Sequence, residues 1–383
     1  MNWKSARVAV LATAVLVTGT LTACGSSSSG GTSTGPTASV SPEWAATIEA
    51  AKKEGTVVVS SFPSSSDTND KINKQFTKEY GIQVQSVPLT SEFSARYQTE
   101  LAANKVSIDI RSSGASECAS LESKGFTQSF GTLPIQSEPA STWLSDPFDF
   151  LKAGHQGILM NQVSGYFLVL NAKQFPGDSG PKGYKDLADP QYKGKILLDK
   201  PGPVGFGTVW AATAWAAPGY GEDYVKAVLA NTKAVSTSAA DELNGVANGS
   251  YGILVHAISS GVSAIAAIPN SPVRLVVPND GMMVSIGAVC FMKAAPHPNA
   301  AKVYLNFLDG QSAQKFYGDA PGGSFIRAEI KAAKPELAPF AAAGAKFFPG
   351  SPLSYNAYAG SDPAYFTNGA KAGALLAQYG LAS

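Results

Sequence analysis

The side chains able to do chemistry in this 383-residue chain are few and mostly of one kind. Histidine occurs three times, as His155, His256 and His297, and cysteine three times, as Cys24, Cys118 and Cys290. So little imidazole and thiol leaves acid–base catalysis, nucleophilic catalysis and soft-metal ligation with few carriers. Hydroxyls gather instead at recurrent places. They fill Ser60–Ser66, Thr90-Ser91 and Ser112–Ser116, each following a segment of strand character. A fourth place, Pro201-Gly202-Pro203-Val204-Gly205-Phe206-Gly207-Thr208, sets glycines and a hydroxyl where a helix begins. Free backbone N–H groups at such a start accept anions. Hydroxyls with backbone amides suit a phosphate, a carboxylate or a polyhydroxylated solute. Serines also cap helices and fill loops, so any one alone has a plainer use; the recurrence is what points to a polar solute. His256, just past a strand, is either a packing histidine or a donor to an anion, with a grip that weakens above its pKa.

Enzyme signatures are missing or broken. Gly177-Asp178-Ser179-Gly180 has the order of a serine-protease nucleophile motif, but Pro181 follows and neither His155 nor His297 stands in a matching context, so it reads as a turn. No Gly-x-Ser-x-Gly, His-Glu-x-x-His or Gly-x-x-x-x-Gly-Lys-Ser/Thr occurs, and Gly205-Phe206-Gly207 lacks the third glycine of a dinucleotide site. Trp210 and Trp215 read as helix packing, and Asp241 and Glu242 as a solvated helix face. No catalytic residue, metal set or cofactor is assigned.

The elements that must position these residues alternate. A helix opens at Ser41-Pro42-Glu43, with Ser41 as N-cap, Pro42 in the first turn and Gly55 as stop. The apolar run Thr56–Ser60 reads as a buried parallel strand. Helices carrying Ile72/Phe76/Tyr80 and Phe93/Tyr97/Leu101 alternate with strands over Ile82–Val87 and Ser107–Ile110. After a less regular stretch, 126–160, a second α/β series starts at Tyr166–Asn171 and continues through Ile196–Leu198 and Tyr251–Val255. Strands over Val273–Pro278 and Met283–Met292 return to the first half, and helices follow over His297–Leu308 and Gln311–Tyr317. The alternation predicts an α/β fold of mostly parallel, doubly wound sheets, whose ligands sit outside the carboxyl ends of the strands. Roughly 340 residues are too many for one ordinary core, so two lobes are expected.

Residues 1–23 have a cationic start (Lys4, Arg7), a short uncharged stretch and small residues before Cys24. This is the order of a secretory signal, too short to span a bilayer. Ending in Leu21-Thr22-Ala23-Cys24, it resembles a bacterial lipoprotein signal, which implies acylation of Cys24 and a lipid anchor on the extracytoplasmic face of the membrane. Gly25–Ser41 carries neither charge nor aromatic ring and reads as a tether reaching on the order of 20–25 Å. Removing 1–23 takes away two of 29 cations and none of 28 anions, leaving 27 − 28 = −1. Such a balance has no basic footprint for nucleic acid. An exported compartment permits Cys118 and Cys290 to pair, and two buried thiols fit equally well.

Five blocks then fall in one order: Lys53–Val59, Asp186–Leu198 ("DLADPQYKGKILL"), Ala247–Ile253 ("ANGSYGI"), Val276–Gly281 ("VVPNDG") and Ala295–Tyr317. From Trp44 to Tyr317 the chain resembles the extracellular solute-binding proteins of ABC importers, in the subgroup named for ferric iron. The resemblance implies a type II periplasmic-binding-protein fold, with lobe I at 42–163 and 283–383, lobe II at 164–282, and a solute clamped between them. It implies a monomeric receptor serving an ABC permease and its ATPase. Ferric-binding members carry adjacent tyrosines shortly after the segment matching Asn248–Ile253, where this chain has Ser259 and Ser260. The expected contacts are therefore Ser61, Ser91, Ser113, Ser116, Gly207, Thr208, His256, Ser259 and Ser260, and the expected solute is an organic anion or phosphorylated metabolite. The alternatives are ferric iron or a ferric complex as cargo, an exported hydrolase, and a ligand-sensing lipoprotein.

Overall fold

In the computed structural model, the residues described are 41–61, 66–88, 93–144, 146–201, 206–258, 270–320, 325–330, 348–349 and 365–381. Cys24, with the expected signal and all but the last residue of the expected tether, lies outside them. No described helix is long and apolar enough to cross a membrane.

The first helix, α1 (Pro42–Glu54), forms as its sequence dictates. The Ser41 hydroxyl accepts from Trp44 N at 3.2 Å, and Gly55 closes the helix at φ 73°, donating to Ala51 O. Only glycine adopts that conformation without strain. Strand β1 (Thr56–Ser61) buries Val57, Val58 and Val59 and pairs in parallel with β2 (Gln83–Pro88) and β3 (Ile110–Gly114). Helices α2 (Ser66–Tyr80), α3 (Phe93–Ala102) and α4 (Ala115–Ser123) connect and follow them. The third strand begins where the sequence pattern ended it. Arg111–Gly114, expected as a loop, belong to the sheet because they pair antiparallel with β9 (Val284–Phe291), from Ile110 opposite Phe291 to Gly114 opposite Gly287.

After the short α5 (Asp149–Lys152), β4 (Gly157–Asn171) runs from one half of the protein into the other, starting well before the Tyr166 expected. Its first part pairs with β9, and its last part with β7 (Ile253–Ile258) and β8 (Val273–Val276). In the second half β5 (Ile196–Asp199) lies parallel between β6 (Thr232–Ser236) and β7. The strands thus run β2-β1-β3-β9-β4-β7-β5-β6, with β8 on β4. Both crossing strands are antiparallel to their neighbours, so each half-sheet is mixed.

Each half-sheet is covered on both faces. In the first half, α1, α2, α9 (Pro298–Leu308) and α10 (Gln311–Asp319) bury Phe76, Tyr304 and Phe307 on one face, while α3 and α4 bury Tyr97 and Leu121 on the other. In the second half, α6 (Phe206–Ala216), α7 (Gly221–Asn231) and α11 (Tyr365–Leu375) surround Trp210, fully buried as expected, with α8 (Ala239–Ala247) on the opposite face. Each large apolar side chain so buried contributes roughly 1.5–3 kcal/mol. The tail departs from its expected place with lobe I. Phe348, Ala372, Leu376 and Leu381 join the second half's core, and α11 packs on α6.

Cys118 of α4 and Cys290 of β9 form a disulfide, with Cα atoms 5.8 Å apart. Gly177–Gly180 is a turn, in which the Ser179 hydroxyl donates to Pro176 O at 2.7 Å.

Candidate functional site

The carboxyl ends of the strands carry the polar groups in both halves. In the first half, β1 ends in buried Ser60 and half-buried Ser61, and β3 passes through Arg111, Ser112 and Ser113, all buried. The Arg111 guanidinium donates through Nη1 to Ser60 Oγ at 3.0 Å and through Nη2 to Glu117 Oε1 at 2.6 Å. Ser113 Oγ donates to the other oxygen of Glu117. Burial pushes the Arg111 guanidinium down from its ordinary value, and the facing Glu117 opposes this. Arginine stays charged under such a shift. The serines were legible as hydroxyls, but the ion pair that orients them was not, because Glu117 reads as an ordinary helix-start acid. Its signal was an acid in the first turn of the helix six residues after a strand arginine.

Alternation along β3 sends Ser112 to the other face. There it lines a small pocket with Val59, Ser61, Asn69, Asn73, Tyr304, Leu308 and Tyr317, enclosing about 260 Å³ including space open to solvent. Asn69 Nδ2 donates to Ser61 Oγ at 3.4 Å, and Tyr304 donates to Asn73 Oδ1 at 2.6 Å. The lining is neutral, with hydroxyl and amide donors and acceptors.

In the second half, Asp199 ends β5 and its Oδ1 accepts from Gly207 N at 2.7 Å, tying the start of α6 to the strand end. A Cβ on residue 207 would sit 2.1 Å from Asp199 O, so only glycine fits. Thr208 is buried at 1 % exposure. Ser236 ends β6, and Ser238 caps α8 by accepting from Asp241 N at 3.3 Å. Glu242 corrects its expected solvation. It is 5 % exposed, because the first turn of α8 packs it against the strand ends. Burial raises the Asp199 carboxyl to about 6. Burial, then the neighbouring Asp199, raises Glu242 to about 7.

Of the other expected contacts, Ser116 stands in α4 and His256 on β7. Ser91, Ser259 and Ser260 lie outside the described residues. His297 precedes α9 as expected, but it is engaged. Its backbone N donates to Asp109 Oδ1 at 2.7 Å and its Nδ1 lies 2.9 Å from Oδ2. His155 stacks on Phe150 with ring centroids 4.4 Å apart, and its Nδ1 lies 2.9 Å from Glu122 Oε2. Among the described residues no three His, Cys, Asp or Glu side chains converge on a metal-sized point.

Residues 122–348, more than half of the chain, match the bacterial extracellular solute-binding proteins. The chain belongs to that family. Nothing among curated proteins matches it. Among solved structures, this solute-binding protein is similar to the apo ferric ion-binding protein A of Pasteurella haemolytica, at 15% identity and a TM-score of 0.65 over 85% of this chain and 98% of that one. The iron-bound HitA of Pseudomonas aeruginosa gives 18% identity and 0.61 over 85% and 99%. The Trichodesmium protein (IdiA, FutA) in complex with iron and citrate ligands gives 19% and 0.62 over 86% and 100%. At such identities the likeness is one of fold. The two half-sheets joined by β4 and β9 are the two lobes and crossing segments of a type II periplasmic-binding-protein fold.

Proposed function

We propose that this solute-binding protein is the receptor of an ABC importer, tethered outside the membrane through acylated Cys24, that captures one small solute and presents it to a permease. The observation that carries the reading is the family match over 122–348, joined to the two-lobed fold. Lobes hinged on two strands close around a ligand and offer the loaded form to a partner.

The cargo we favour is ferric iron held in a complex with a small carboxylate, ahead of the organic anion or phosphorylated metabolite that the hydroxyls suggested. Support comes from relatives solved with iron, and with iron and citrate. Serines at 259 and 260 replace phenolates with weaker donors, which suits a cargo that brings its own oxygen ligands. Buried Arg111, ion-paired with Glu117, stands at the first lobe's strand ends beside Ser60 and Ser113. Ser61, Ser91, Ser113, Ser116, Gly207, Thr208, His256, Ser259 and Ser260 remain the proposed contacts.

A thermal-shift series with ferric citrate, citrate alone, glucose 6-phosphate and inorganic phosphate tests this. Ferric citrate at about 100 times its Kd stabilises the protein by about 2.7 kcal/mol, read as a higher melting temperature. A shift with citrate or glucose 6-phosphate but not with ferric citrate returns the solute to the organic anions.

A further inference from the structure

Asp199 and Glu242 make poor sense as packing residues. Asp199 closes β5 and stands in register with Ser236, the last residue of β6. Glu242 lies in the first turn of α8, and its backbone N donates to Ser238 O at 3.0 Å. Helix α8 packs on both β5 and β6, and the Asp199 charge and Ser236 both act on the Glu242 carboxyl. Yet Glu242 Oε1 is buried with no hydrogen-bond partner. A buried carboxylate oxygen without a donor is costly, and a second carboxylate beside it raises the cost. Packing alone would be served better by an amide or an apolar side chain.

We propose that Asp199 and Glu242 form a cation-binding subsite at the carboxyl ends of β5 and β6, with the Ser236 hydroxyl as a neutral oxygen donor. Hard oxygen donors select a hard metal ion or a protonated amine. Because no three acidic, histidine or cysteine side chains converge among the described residues, the pair supplies part of a coordination shell and the solute supplies the rest. The inference rests on reading the strand ends as the solute site, and it names the charge that site takes. Other groups act on the pair. Asp241 of α8 adds negative charge, the Gly207 N–H of α6 occupies Asp199 Oδ1, and Lys200 follows Asp199 in the chain. Carboxyl groups must shed their protons to take a cation. A cation takes the proton's place, so binding strengthens as pH rises and releases a proton.

Calorimetric titration of the purified protein with citrate and glucose 6-phosphate as anion controls and with the cation probes ferric citrate, calcium chloride and putrescine, each at pH 6 and pH 8, tests the subsite. One of the cation probes binds, about tenfold more tightly at pH 8, and Glu242→Gln weakens it by about tenfold or more. The melting temperature of the ligand-free variant at pH 8 equals or exceeds that of the wild type. Reversal by EDTA marks the metal, and binding of putrescine marks the amine. If Glu242→Gln does not fold, Asp199→Asn keeps an oxygen for Gly207 N and serves in its place. Equal cation affinity in wild type and variant overturns the proposal. So does binding of citrate or glucose 6-phosphate alone, unchanged by the substitution, which leaves the receptor reading intact. No binding of any cation or anion probe overturns both.

Discussion

At Gly207 the backbone of α6 passes so close to the end of β5 that any side chain would meet Asp199 O at 2.1 Å. The contact is backbone on backbone, so no rotamer relieves it. Gly207→Ala lowers stability by about 1–3 kcal/mol in urea denaturation, as overpacking does, and weakens solute binding by displacing the helix start. Undiminished stability would mean that the loop before α6 yields freely. The same site sets a pH dependence. Asp199 and Glu242 titrate near 6 and 7 in the fold, against roughly 3.9 and 4.3 in an unfolded chain. The unfolded chain therefore loses these protons first, and the ligand-free fold loses stability as pH rises from about 4 to about 7. Melting curves across that range show it, and Glu242→Gln flattens the slope. A wild-type profile flat from pH 4 to 7 would contradict the burial of the pair.

Elements here are held together by side chains that read as surface residues. Asp109, fully buried, accepts from Val58 N and from His297 backbone N, each at 2.7 Å, and its Oδ2 lies 2.9 Å from His297 Nδ1, which binds β1, the start of β3 and the start of α9 at one point. Asp109→Ala orphans one buried and one partly buried backbone N–H group and costs about 2–4 kcal/mol, measurable as a lower urea midpoint at unchanged slope. A smaller loss than 1 kcal/mol would show that water replaces the carboxylate. Glu54 plays a similar part, accepting from Asn299 N and from Ala300 N at 2.7 Å at the positive end of α9. The blocks that carried the family resemblance are couplings of this kind. Asp280 of "VVPNDG" accepts from Lys185 N at 2.7 Å and from the Tyr220 hydroxyl at 3.0 Å, and a Cβ on Gly183 would lie 2.4 Å from the Asn279 side-chain oxygen. Helices and strands were legible because Ser41-Pro42 and Gly55, or the run Val57-Val58-Val59, act through neighbours in sequence. The β3 boundary was not, because its hydrogen bonds come from β9, some 180 residues away in the chain.

Across the whole molecule, β4 and β9 join the halves, and the Cys118–Cys290 disulfide ties α4 to β9 within the first. Closing a loop of 172 residues restrains the unfolded chain, and an oxidising compartment suits it. Placement outside the membrane leads to a direct expectation. In cells making the wild-type protein it sediments with membranes, and Cys24→Ser moves it to the soluble extracytoplasmic fraction. Equal sedimentation of the two would remove acylation from the proposal.

By itself the sequence determined what depends on local order: two α/β series, capped helices, buried strands and a scarcity of catalytic side chains. These rest on periodicity and on single residues with fixed conformational preferences. The tertiary structure decided what depends on distant partners. It set Arg111 against Glu117, drew the tail helix onto Trp210's helix, joined Cys118 to Cys290, and buried Glu242 beside Asp199. A carboxylate's charge, and so its chemistry, is set by what the fold packs against it. Glu242 reads as a solvated helix residue until β5 and β6 close over it.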